Sequence, residues 1–123
     1  ENALVVANNT FWNARYKATG VRNRSTAGAV VTNNIFAGAP VLALDGPGTL
    51  TTNLRRAETG LKDPRGLDFS LLPASAAIDA GTELASVDPR LPVPLLEYVH
   101  PLAGRERLGV WTPDLGAYEF CGE

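Results

Sequence analysis

Apolar and polar residues alternate along the first half of the chain in runs of four or five positions, each closed by asparagine, glycine or proline. Runs this short, rich in Val, Thr, Leu and Phe, predict strands joined by tight turns and argue against helices. Strands are expected near Ala3–Ala7, Thr10–Trp12, Thr19–Asn23, Ala29–Thr32, Ile35–Phe36, Pro40–Leu44 and Gly48–Thr52. Alternation carried from run to run directs Val5 and Phe11, with Val30 and Phe36, toward one side of the wall. Asparagine suits the bends because it tolerates the left-handed backbone conformation.

The runs also recur. Val5-Val6-Ala7-Asn8-Asn9-Thr10-Phe11 returns as Val30-Val31-Thr32-Asn33-Asn34-Ile35-Phe36, offset by 25 residues, and a weaker echo follows in Leu50-Thr51-Thr52-Asn53-Leu54. A period in the twenties marks a stacked solenoid whose last copy fades. Parallel coils bring equivalent residues to about 4.7–4.9 Å from one another. Asn8 or Asn9, Asn33 or Asn34, and Asn53 are therefore expected to form a ladder. A leucine-rich repeat fits less well, since the leucine its pattern wants upstream is Glu1 in one copy and Gly28 or Ala29 in the other.

From Leu54 onward the texture changes. Pro64, Pro73, Pro89, Pro92, Pro94, Pro101 and Pro113 oppose long helices and interior strands. Residues 1–54 are read as coils and 55–123 as an irregular C-terminal cap over the open end of one domain. Ser75 is placed to cap a turn through Ala76, Ala77, Ile78 and Asp79, ended by Gly81, whose apolar members plug the core. Asp114–Phe120 is expected to lie as a strand on the last coil, with Trp111 beside it.

At 123 residues, one domain is the default. The chain holds no methionine and its first apolar run follows Glu1-Asn2 directly, so it is expected to be a fragment. No stretch nears the ~20 apolar residues that span a bilayer, and no membrane contact is expected. The single Cys121 excludes an intrachain disulfide. The net charge of −2 hides an asymmetry. Residues 1–44 carry Arg15, Lys17, Arg22 and Arg24 against Glu1 alone, while the remainder carries seven basic against twelve acidic residues. One end is thus suited to an anionic partner. The basic set is too small for nucleic acid.

Asp68-Phe69-Ser70-Leu71-Leu72-Pro73-Ala74-Ser75-Ala76-Ala77-Ile78-Asp79-Ala80-Gly81, then Arg107, then Asp114-Leu115-Gly116-Ala117-Tyr118-Glu119, resembles the C-terminal signature of secreted bacterial right-handed parallel β-helix proteins of the pectate-lyase-like superfamily. It departs at Ser70, Ala74, Ala76 and Leu115, where that pattern has arginine, glycine, proline and isoleucine. The resemblance implies an all-β, right-handed parallel β-helix of about two to three coils with a C-terminal cap. It also implies secretion or a cell-surface location and, for enzymes of the group, an acidic polysaccharide laid along one outer sheet. The same ending occurs on lyases, hydrolases, epimerases and surface proteins, so fold is implied more strongly than activity.

Arg22 and Arg24, two apart on an expected strand, are spaced about 7 Å on one face. Their planar forks suit successive uronate carboxylates, with Arg15 and Lys17 entering from the preceding loop. Lyases of this resemblance use an arginine or lysine to remove a ring proton beside a cation such as Ca²⁺, which wants six or more oxygens. Residues 1–44 hold no carboxylate cluster for one, and no metal or cofactor is expected. Acid/base pairs of the hydrolase kind would come from Asp45, Asp63, Asp68, Asp79, Asp88 or Asp114. Asp79 and Asp114 are better read as turn and cap acceptors, and His100 as a loop residue. The expectation is the terminal part of an extracellular polysaccharide-binding or -processing protein, inactive by itself. A non-catalytic scaffold or glycan-binding β-helix is the alternative, and the exposed coil end offers an edge for self-association.

Overall fold

In a computed structural model, residues 4–91, 96–99, 102–107 and 112–121 are described. The first eight strands are β1 (Leu4–Ala7), β2 (Thr10–Asn13), β3 (Ala18–Arg22), β4 (Ala29–Thr32), β5 (Ile35–Gly38), β6 (Val41–Asp45), β7 (Gly48–Thr51) and β8 (Leu54–Arg56). Strands β1 to β5 each pair in parallel with the strand three elements on, giving sheets β1-β4-β7, β2-β5-β8 and β3-β6. The architecture is all-β, without a closed barrel, and is compatible with a β-helix. Register explains the fading repeat. Leu4 pairs with Ala29 and Thr10 with Ile35, but Ala18 pairs with Val41 and Ala29 with Gly48. The offset contracts because the loops 14–17 and 23–28 of the first pass become the two-residue links 39–40 and 46–47 of the second.

The corners and the ladder follow the asparagines. Asn8, Asn33 and Thr52 all take positive φ, 57°, 57° and 51°, at the same bend between the first and second sheets. Beside them Asn34 Oδ1 accepts from the backbone N–H and side-chain amide of Asn9, at 2.9 and 3.2 Å. Asn34 in turn donates from its backbone N–H and its side chain to Asn53 Oδ1, both at 3.0 Å. The remaining amide protons of Asn34 and Asn53 reach Val6 O and Val31 O. The ladder thus runs through the second asparagine of each pair and satisfies corner groups that sheet pairing leaves over.

Inside the coil, Val21, Val31, Phe36, Val41 and Ala43 are buried together, with Val6 and Phe11 packed against them. The Phe11 and Phe36 rings stack 4.8 Å apart and within 7° of parallel, an arrangement worth about 0.5–1.5 kcal/mol beyond area burial. Gly20 makes room, since a Cβ there would lie 2.4 Å from the Phe36 ring. The expected common direction of Val5 and Phe11 is corrected. Val5 is 40% exposed and Val31, not Val30, is buried. The left-handed residue at the corner rotates the chain, so parity is not carried across it.

The second sheet is covered on both faces. Phe11 and Phe36 look into the coil, while Ile35, Ala37 and Leu54 look outward into a second core with Leu61, Leu71, Ala77 and Leu115. That outer layer comes from the antiparallel hairpin β9 (Leu61–Asp63) and β10 (Asp68–Leu71), the turn at 76–79 and the segment 112–121. Helix α1 (Leu84–Val87) and a hairpin of β11 (Leu96–Val99) and β12 (Ala103–Glu106) complete the described chain. Ser75 caps its turn as expected, its hydroxyl accepting from Ala77 N at 3.2 Å and donating to Thr59 O at 2.5 Å. The turn does not plug the coil, however, since Ala77 sits on the outside of the second sheet. Residues 114–120 are irregular, not a strand, because they dock by single bonds to three partners. Gly116 N donates to Asn33 O, Leu115 N to Ala77 O and Ala117 N to Thr10 Oγ1. Trp111 and His100 lie outside the described residues.

Candidate functional site

The basic residues singled out from sequence fall on the longer loops and the third sheet. Arg22 ends β3 and is in register with Asp45. Its Nε lies 3.2 Å from Asp45 Oδ2, and Arg24 Nη2 lies 3.3 Å from the same oxygen. Arg24 stands beyond the strand, on a loop built by the buried Asn23, whose amide donates to Ala27 O and Pro47 O. The two guanidinia are therefore brought together, but around one carboxylate. All three groups are substantially exposed, so the pairs contribute at most about 1 kcal/mol each. Arg15 is exposed in the loop 14–17, and Lys17 ends that loop at the mouth of two clefts.

One of these opens where the third sheet runs out. Among the described residues no third strand follows β6, because the chain leaves β8 at Ala57 for the outer hairpin. The gap, about 530 Å³, has a floor of Phe36, Val41 and Leu42 and a rim of Lys17, Arg55 and Arg56. Arg55 is in register with Phe36, so it takes the next inward position after the two stacked rings. Its Nη1 donates to Val41 O at 3.3 Å, across the unpaired edge of β6. An inward charge at an open edge also discourages strand addition. Among the described residues no carboxylate lines this cleft, and neither Lys17 nor Arg56 has an ion-pair partner. The sequence reading missed Arg55 and Arg56. Extending the third echo by one residue would have found Arg55 in the column of Phe11 and Phe36.

The acidic residues weighed as acid/base pairs are held at turns and ion pairs. Asp63 Oδ1 accepts from Gly66 N. Hydrogen bonds from the Ser70 hydroxyl and N–H, aided by Lys62, hold the Asp68 carboxyl below its usual range. Arg90 holds Asp88 down to about 2. Asp114 accepts from Asp79 N at 2.7 Å and from Phe120 N at 2.5 Å, the cap role read from sequence. Asp79 itself serves through its backbone, at φ 51°.

One cluster is fully enclosed. Arg107 and Glu119 approach to 2.7 Å with side chains 4% and 5% exposed. Arg107 also donates to the carbonyls of Asp114, Gly116 and Ala117, while Glu119 Oε2 accepts from Asp114 N and Glu97 Oε2 from Glu119 N. Burial pushes the Glu119 carboxyl up, against the opposing pull of the Asp114 N–H and Arg107. Every polar group here faces another group of the same tail, which gives this cluster a fastening role.

Among the described residues no three His, Cys, Asp or Glu gather as metal ligands, and no helix is long and apolar enough to cross a membrane. Comparison with protein-family models, with curated proteins and with solved structures finds no match.

Proposed function

We propose that this chain is part of a right-handed parallel β-helix of the pectate-lyase-like kind and that its basic cleft binds an acidic polysaccharide outside the cell. The convergence of Lys17, Arg55 and Arg56 on one cleft without a carboxylate carries the reading. Lys17 also borders the adjoining cleft of about 530 Å³ that includes Arg22, so cations continue along the third sheet. A polyuronate offers one carboxylate per sugar, and guanidinium forks pair with carboxylates in two parallel hydrogen bonds. Arg15 and Arg24 flank this row as peripheral contacts. Binding is proposed without turnover, because among the described residues no carboxylate lines this cleft to serve as an acid or base beside a bound sugar.

Calorimetric titration with oligogalacturonate at low salt tests this. Lys17→Ala with Arg56→Ala is expected to weaken binding roughly tenfold or more, the scale of one charge-assisted hydrogen bond. Undiminished binding in that variant would overturn the site. A scaffold that binds no glycan is the second reading, favoured by the hold of Asp45 on Arg22 and Arg24, and absence of any heat with oligogalacturonate would support it.

A further inference from the structure

Across the Gly38–Pro40 corner lies another cleft, which shares Gly38, Ala39, Pro40 and Ala57 with the basic one. It encloses about 560 Å³, within the ~300–1,000 Å³ of small-ligand sites. Its lining differs in kind. Trp12 supplies a half-buried indole, steadied by Phe69, whose ring lies 6.4 Å away at 54°. Around it stand Asn13, Glu58, Asp63 and Arg65, with Lys62 bringing the formal charges to balance. Glu58 and Arg65 have no ion-pair partner among the described residues. Thr59, 4% exposed, also borders the cleft, and its hydroxyl finds no hydrogen-bond partner among them.

We infer that the Trp12 cleft binds a neutral pyranose ring. One face of such a ring is a patch of C–H groups that matches an indole, and its rim is a set of hydroxyls that donate to Glu58 and Asp63 and accept from Arg65 and Asn13. An aromatic group with an apolar body and polar neighbours suits a ligand of that two-sided character. The balanced charge gives a uronate no advantage here, unlike the basic cleft next door. The inference rests on the saccharide-binding reading above and sharpens its ligand to a heteropolysaccharide with neutral and acidic residues side by side.

Titrating ¹⁵N-labelled protein separately with cellotetraose, galactotetraose and trigalacturonate tests it. At least one neutral tetrasaccharide is expected to shift amides at 12–14 and 57–65, and Glu58→Gln with Arg65→Ala to weaken that response about tenfold. Both positions are exposed, so the variant is expected to keep its fold, checked by its unchanged far-ultraviolet spectrum. Shifts that persist undiminished in the variant, or no shift with either neutral probe at millimolar concentration, would overturn the inference. Trigalacturonate shifts confined to Lys17, Arg55 and Arg56 report on the basic cleft alone, so the two sites fail or stand separately.

Discussion

The parallel coils and the tail that covers them are held together in opposite ways. In the coils, like meets like from one pass to the next. Phenylalanine stacks on phenylalanine, asparagine bonds to asparagine and a left-handed corner lies over a left-handed corner. In the tail, each fastening is made once, between unlike groups, whether near in sequence, as Arg107 and Glu119, or far apart, as Asp114 and Asp79. The repeating region spreads its stability over many equivalent contacts. The tail concentrates its stability in a few buried polar groups, each of which costs heavily if it loses its partner.

That contrast is broken most severely at Arg107. Arg107→Ala leaves Glu119 and three carbonyls without their donor in a buried site. A loss of about 3–5 kcal/mol is expected, read by urea unfolding, with amide exchange rising first at 112–120 while the Asn34 corner stays protected. Asn34→Ala tests the other side. It removes the middle of the ladder, taking the acceptor of Asn9 N and one donor each from Val6 O and Asn53 Oδ1, which keeps the Asn34 backbone N–H, and is expected to cost about 2–3 kcal/mol, with exchange rising at all three corners together.

Smaller effects sharpen the same division. The Glu119 carboxyl is raised by burial, so the folded tail holds its proton more tightly than the unfolded chain does. The stability this contributes is complete below the ordinary glutamate value of 4.5 and is lost as pH rises through the higher folded value. Thermal unfolding across that interval is expected to show a decline with rising pH that Glu119→Gln removes. Smallest is Asp45→Asn, which frees Arg22 and Arg24. Stability is expected to change by less than about 1 kcal/mol, while affinity for oligogalacturonate increases severalfold, measured by the same calorimetry.

These differences also decide what was legible in the sequence. Seven strand positions, the parallel stacking and the asparagine ladder were readable because repetition prints the same physics at known spacing. The capping role of Ser75 and of Asp114 was readable from local chemistry. The facing of Val5 was not, since it depends on rotation at Asn8. Nor was the placing of the 76–79 turn on the outer face of the second sheet, which is fixed by contacts with Ile35 and Leu54 that no spacing encodes. For the proposed site, the basic character of Arg15, Lys17, Arg22 and Arg24 was legible, but only Lys17 and Arg22 line the clefts, and Asp45 and Arg55 come beside them through strand register.

Nuclear Overhauser contacts between β1 and β4 in solution test the stacking most directly. Inter-strand contacts from the α-protons of Leu4–Ala7 to amides of Ala29–Thr32 are expected to advance together along both strands, centred on pairs 25 residues apart. Contacts that run in opposite directions along the two segments, or none between them, would contradict the parallel stack and with it the cleft that ends it.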